Sequence, residues 1–119
     1  MFTRLTPILP VSSVREELTF YELLGFEHHT DPGEDYPIEE FAAVAHGDAI
    51  LFGLAREDAV AVPPVGLAWQ FETTDLEAVS RAATEAGLEI TLPVTVQAWG
   101  RAMMTIRSPN GYSVNVEEA

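Results

Sequence analysis

Apolar and polar positions along the chain follow two periods, and each change of period marks an element. Residues 4–10 form a short extended run in which Pro7 and Pro10 are tolerable only near an edge or an end of a strand. Ser13 stands three residues before Glu16, the spacing of a capping box, and Val14, Leu18, Tyr21 and Leu24 then recur at helical spacing until Gly25. Residues 26–30 resume as a strand, and a loop over 31–37 follows with Pro32, Gly33 and Pro37 as breakers. Residues 41–46 and 49–54 are further strands, joined at Gly47-Asp48. After a stretch without periodicity that contains Pro63-Pro64, the first pattern returns. Residues 66–72 are extended, Thr74 and Glu77 repeat the capping box, and Leu76, Val79, Ala83 and Ala86 form a helical stripe ended by Gly87. Thr74 lies 61 residues after Ser13, Glu77 61 after Glu16, and Gly87 62 after Gly25. This is an internal duplication. Each copy reads strand, helix, three strands, so the expected fold is α+β: two βαβββ modules forming curved mixed sheets, each helix covering one sheet face and leaving a concave trough. The expected organisation is a single domain over 1–119, with modules at about 1–58 and 66–119 and a connection at about 59–65.

Alternation assigns strand faces. Leu67, Trp69 and Phe71 are expected under the second helix, leaving Gly66, Ala68, Gln70 and Glu72 on the concave side. In the last strand Tyr112, Val114 and Val116 face the helix, while Ser113, Asn115 and Glu117 face the trough. Such a lining, partly polar and partly small, suits either a ligand cavity or a solvated outer face. Between these strands, Trp99 precedes Gly100-Arg101. A bend at Gly100 would leave Trp99 at the lip of the sheet, where its flat ring is a candidate stacking surface or a cover over the core end. Ser108-Pro109-Asn110-Gly111 is turn chemistry that predicts a hairpin between the runs on either side.

Composition narrows the function classes. There are no cysteines, which excludes disulfides, thiolate catalysis and cysteine metal sites. Acids number 19 against 6 bases, all arginine, for a formal net charge of -13. This balance repels nucleic acid and anionic membranes and attracts a cationic small molecule, though acidic, lysine-free chains also arise from genome composition or a salty habitat. No apolar run approaches the roughly 20 residues of a membrane helix, and no signal-peptide pattern opens the chain, so a cytoplasmic protein is expected. His28 and His29 point to opposite faces of a strand and His46 sits beside a turn, so all three read as surface or packing residues.

The doubled strand-helix-three-strand unit resembles the vicinal oxygen chelate superfamily, which contains glyoxalase I, extradiol dioxygenases and the bleomycin resistance proteins. The likeness to the bleomycin resistance proteins runs nearly end to end. It is carried by Leu5-Thr6-Pro7-Ile8-Leu9-Pro10-Val11, Phe20-Tyr21, Leu24-Gly25-Phe26, Leu67-Ala68-Trp69, Trp99-Gly100-Arg101, Ser108-Pro109-Asn110-Gly111 and Glu117-Glu118. Enzymes of the superfamily hold a divalent metal through four His, Glu or Gln side chains, on the first and last strands of each unit. Alignment puts Thr6, Phe52, Gly66 or Ala68, and Asn115 at those places, which is no ligand set. No metal, no cofactor and no catalytic residue is therefore expected. The loop over 30–40 is longer than in the drug binders and residues 90–96 depart from them, which implies a changed rim and a changed ligand.

The resemblance implies a homodimer with ligand grooves at its interface, in which Trp99 of one chain and Phe41 of the other sandwich the flat tail of a bleomycin-type antibiotic. The expected ligand-binding residues are Phe41, Trp99, Phe52, Gln70, Glu72, Asn115, Ser113, Arg101 and Glu40. Asp31, Glu34, Asp35, Glu39, Glu40, Glu72 and Glu117 are acids that could meet a cationic drug tail, or simply solvate a loop. The expected function is sequestration of a planar, cationic antibiotic without modification. The alternatives are an enzyme of the same superfamily, lyase, isomerase or dioxygenase-like, acting on a small metabolite, and a domain acting only through protein contacts.

Overall fold

In the computed structural model, residues 1–31, 33, 36–57 and 67–119 are described. The chain divides into two units, Met1–Ala61 and Val62–Ala119. The expected connection at about 59–65 lies outside the described residues, as do Pro32, Glu34, Asp35 and Gly66.

In the first unit, Ser13 caps the helix as its spacing predicts. Its hydroxyl accepts from the Glu16 N–H at 3.2 Å, and α1 runs over Val14–Leu23. The strands are β1 (Ile8–Val11), β2 (Glu27–His29), β3 (Phe41–His46) and β4 (Ile50–Arg56). They form one four-stranded sheet in the order β1-β4-β3-β2, with β1 parallel to β4 and the other pairs antiparallel. β4 continues two residues past the expected end at Leu54. Ala55 still pairs with Phe41, and the Arg56 N–H donates to the Glu40 carbonyl at 2.9 Å. Val14, Leu18, Phe20 and Tyr21 of the helix and Leu9, Val11, Val44 and Leu54 of the sheet are all buried. At the centre the Tyr21 ring meets Phe20, Phe26 and Phe52 edge-on, at centroid distances of 5.1, 5.6 and 4.9 Å.

The second unit repeats the plan with β5 (Ala68–Thr73), α2 (Leu76–Glu85), β6 (Glu89–Val96), β7 (Ala102–Arg107) and β8 (Ser113–Glu118), in the sheet order β5-β8-β7-β6. β5 and β8 are parallel; the other pairs are antiparallel. The predicted capping box at Thr74 is displaced by one residue. Asp75 is the cap, its Oδ1 accepting from the Ala78 N–H at 3.1 Å, while the Thr73 hydroxyl accepts from the Asp75 N–H. The repeat is therefore uniform: 75 minus 13 and 87 minus 25 both give 62. Two packing expectations also change. Leu67 lies outside β5 and is 47% exposed, and Ala86 is exposed at the C-cap of α2, so Leu76 and Ala83 carry the buried helix stripe.

The 108–111 turn forms as its residues predict. The Gly111 N–H donates to the Ser108 carbonyl and the Tyr112 N–H to the Ser108 hydroxyl, joining β7 to β8 as an antiparallel hairpin. β6 is an edge strand and carries register shifts between Ile90 and Thr95, which is where a mid-strand Pro93 is tolerated.

Candidate functional site

In the second unit, Tyr112, Val114 and Val116 are buried, while the alternate residues of β8 face away from α2. Parallel pairing with β5 on one side and antiparallel pairing with β7 on the other arranges that open face in cross-strand rows. Ala68, Ser113 and Arg107 form one row, Gln70, Asn115 and Thr105 the next, and Glu72, Glu117 and Met103 the third. In the middle row the Thr105 hydroxyl donates to Asn115 Oδ1 at 2.8 Å.

Glu117 is the hub of the third row. Only 4% exposed, it accepts from the Trp99 indole N–H at 3.2 Å and the Gln70 amide at 3.3 Å on Oε2, and from Arg101 Nη1 at 3.2 Å on Oε1. Arg101 Nη1 also lies 3.7 Å from Glu72 Oε1. A carboxylate withdrawn from water is costly unless such donors surround it. Their convergence depends on Gly100, whose φ of +95° is open to glycine and strained for other residues. The Gly100 N–H donates to the Gln97 carbonyl and the Gln97 N–H to the Arg101 carbonyl, both at 2.9 Å, so the turn is closed at both ends. Trp99 and Arg101 thereby reach one acid while the Trp99 residue stays 59% exposed.

The first unit has an open face of different character. Ile8, Gly53, Ala43 and His29 fall in one cross-strand row, with Phe41 and Ala55 in the next. The Phe41 ring lies over Gly53: a Cβ there would come within 3.0 Å of Phe41 Cε2 and Cζ and 3.3 Å of Ile8 Cγ1. Tyr36 stands beside it at a ring distance of 5.6 Å, and a recess of about 150 Å³ opens between these rings and His28, His29 and Thr30. Glu40 lies 3.6 Å from Arg56, Asp31 2.9 Å from His29, and Glu39 2.7 Å from Arg15. The Arg15 hydrogen bond, with a backbone hydrogen bond beside it, lowers the Glu39 pKa.

Gln70, Glu72, Trp99, Arg101, Ser113 and Asn115 thus share one open face of the second unit; in the first unit Phe41 opens β3 and Glu40 immediately precedes it. Phe52 is a correction to the expected binding set. It is 2% exposed, packed edge-on against Tyr21 in the core, and presents nothing to the open face. Glu117 is expected on the trough, among the acids that could meet a cationic tail, but not as a hub, and Thr105 as the partner of Asn115 is missing from the expected set. The alternation that puts Glu117 on the open face was the available signal, but its convergence with Trp99 and Arg101 depends on the turn at Gly100.

The residues at the superfamily's metal positions do not fit a divalent ion. Thr6 is exposed ahead of β1, Phe52 is a core ring, Ala68 has no donor, and Asn115 Oδ1 already accepts from Thr105. Among the described residues, no group of three or more His, Cys, Asp or Glu is arranged to hold a metal ion. Among the same residues, no helix is long and apolar enough to cross a membrane.

A profile of the Glyoxalase/Bleomycin resistance protein/Dioxygenase superfamily matches residues 3–116. A search of curated protein sequences finds no match. Among solved structures, a bleomycin-binding protein complexed with bleomycin is 19% identical, with 99% of each chain covered and a TM-score of 0.71. A bleomycin resistance determinant encoded on a transposon is also 19% identical, with 98% of each chain covered and a TM-score of 0.70. A protein of unknown function from Agrobacterium tumefaciens is 21% identical, covering 100% of this chain and 96% of its own, with a TM-score of 0.75. At these identities the likeness shows the fold.

Proposed function

This chain belongs to the Glyoxalase/Bleomycin resistance protein/Dioxygenase superfamily, and on that premise we propose that it binds and sequesters a planar, cationic antibiotic of the bleomycin type without modifying it. The observation that carries this reading is the exposed Trp99 ring, tethered beside a sheet face that holds Glu72 and Glu117. The ring offers a stacking platform and the exposed Glu72 carboxylate attracts a cation. Trp99 of one chain and Phe41 of the other stack on the ligand in grooves at the interface of a cytoplasmic homodimer, with Gln70, Ser113, Asn115 and Arg101 as polar contacts and Glu40 at the rim. Each stacked pair contributes about 0.5–1.5 kcal/mol beyond area burial, well short of the roughly 8 kcal/mol of a micromolar complex. Buried area and charge supply the remainder.

The test is a calorimetric titration with bleomycin, combined with sedimentation to count subunits and mass spectrometry of the drug after long incubation. Saturable binding to a dimer and recovery of unmodified drug are expected. Absence of binding defeats the proposal. Turnover of the drug, or of a small metabolite, favours the alternative of an enzyme, a class that the superfamily includes.

A further inference from the structure

We propose that Glu117 is a positioning residue, holding the Trp99 ring in one orientation so that the stacking surface is set before a ligand arrives. More than half of the Trp99 surface is open to solvent, so packing alone leaves the ring freedom to swing. Its indole N–H is fixed to Glu117 Oε2 at 3.2 Å, and a hydrogen bond at the far edge of the ring restrains both side-chain torsions together.

The anchor is itself rigid. Glu117 sits on β8 between β5 and β7, paired with Glu72 and Met103, and its carboxylate is held by Gln70 and Arg101 as well as by Trp99. The turn at Gly100 is closed by two backbone hydrogen bonds, so the base of the Trp99 side chain is fixed as firmly as its tip. Ordering a side chain on binding costs affinity, and an aromatic ring ordered in advance avoids that cost. Glu117 therefore acts through Trp99 and needs no contact with the ligand. The effect on affinity rests on the binding function proposed above; the orientation of the ring does not.

The experiment uses the full chain with Trp69→Phe, which leaves Trp99 as the sole tryptophan. Glu117→Leu removes the acceptor, and Glu117→Gln keeps an acceptor oxygen at the same reach. Without ligand, Glu117→Leu is expected to lower the fluorescence anisotropy of Trp99 and shift its indole N–H resonance, while Glu117→Gln largely restores both. With bleomycin as the probe, Glu117→Leu is expected to bind roughly two- to tenfold more weakly, the scale of ordering one side chain on binding. In a Trp99→Phe background the same substitution should change affinity little. A folded Glu117→Leu protein with unaltered anisotropy and resonance overturns the proposal. Should the variants fail to fold, hydrogen exchange of the indole N–H in the parent decides: slow exchange supports the tether, and exchange at the rate of a free indole refutes it. If the parent does not bind bleomycin, the proposed function fails, and the ligand-free measurements still judge the role of Glu117.

Discussion

Gly53 carries no side chain, and the Phe41 ring occupies the space that one would fill. Gly53→Ala therefore has to move the ring. Because the atoms in the way are the far end of a mobile side chain, the stability cost should stay near about 1 kcal/mol, at the low end for overpacking. On the proposed function, bleomycin affinity should fall several-fold while the melting temperature moves little; parallel titration and thermal melts of the variant check both. Glu39 allows a second test at this scale. Its folded pKa is lowered below 4.5 by Arg15, so its contribution to stability is present above that value and is lost as the pH falls through the folded value. Carbon-detected NMR titration should find its midpoint below that of an ordinary glutamate, and Arg15→Gln should raise it. The residue is fully exposed, so the change in stability should be slight.

At the scale of elements, sequence pattern was legible wherever one face was wet and the other dry. In β8 the alternation from Tyr112 to Val116 gave the buried side correctly. In β4 every residue from Ile50 to Leu54 is apolar or glycine, so alternation carries no phase to contradict a binding role for Phe52, yet its ring points to the core. Thr74 and Asp75 are adjacent cap-forming residues, and Glu77 three places on favoured the wrong one; helix phase, fixed by packing of Leu76 and Ala83, selects Asp75. Asp75→Ala should cost about 1 kcal/mol in urea denaturation and Thr74→Ala much less. Equal losses would mean that the cap is shared. The Glu117 hub was illegible for a different reason. It joins residues brought together by strand register and by the turn at Gly100, neither of which periodicity encodes.

For the whole molecule, the formal charge of -13 is the dominant long-range term, and arginines 15, 56, 101 and 107 already stand beside carboxylates. A cationic ligand should therefore meet a field that salt weakens. The screening length falls from about 10 Å at 0.1 M ionic strength to about 3 Å at 1 M. Bleomycin affinity should drop roughly threefold to tenfold across that range, mainly through a slower association rate, as stopped-flow mixing at each salt concentration would show. A salt-independent rate would remove electrostatic attraction from the binding reading.

Gln70 and Glu117 are 47 positions apart in the chain, yet they share a hydrogen bond because the opening and closing strands of the second unit lie side by side. Neighbouring strands of that kind cannot zip from a tight turn; the helix and hairpin between them must be gathered first. During refolding of the Trp69→Phe protein, the glow of Trp99 should therefore reach its final intensity after helical circular dichroism has matured. A partly assembled chain would have helices while the Trp99 surface was still unset.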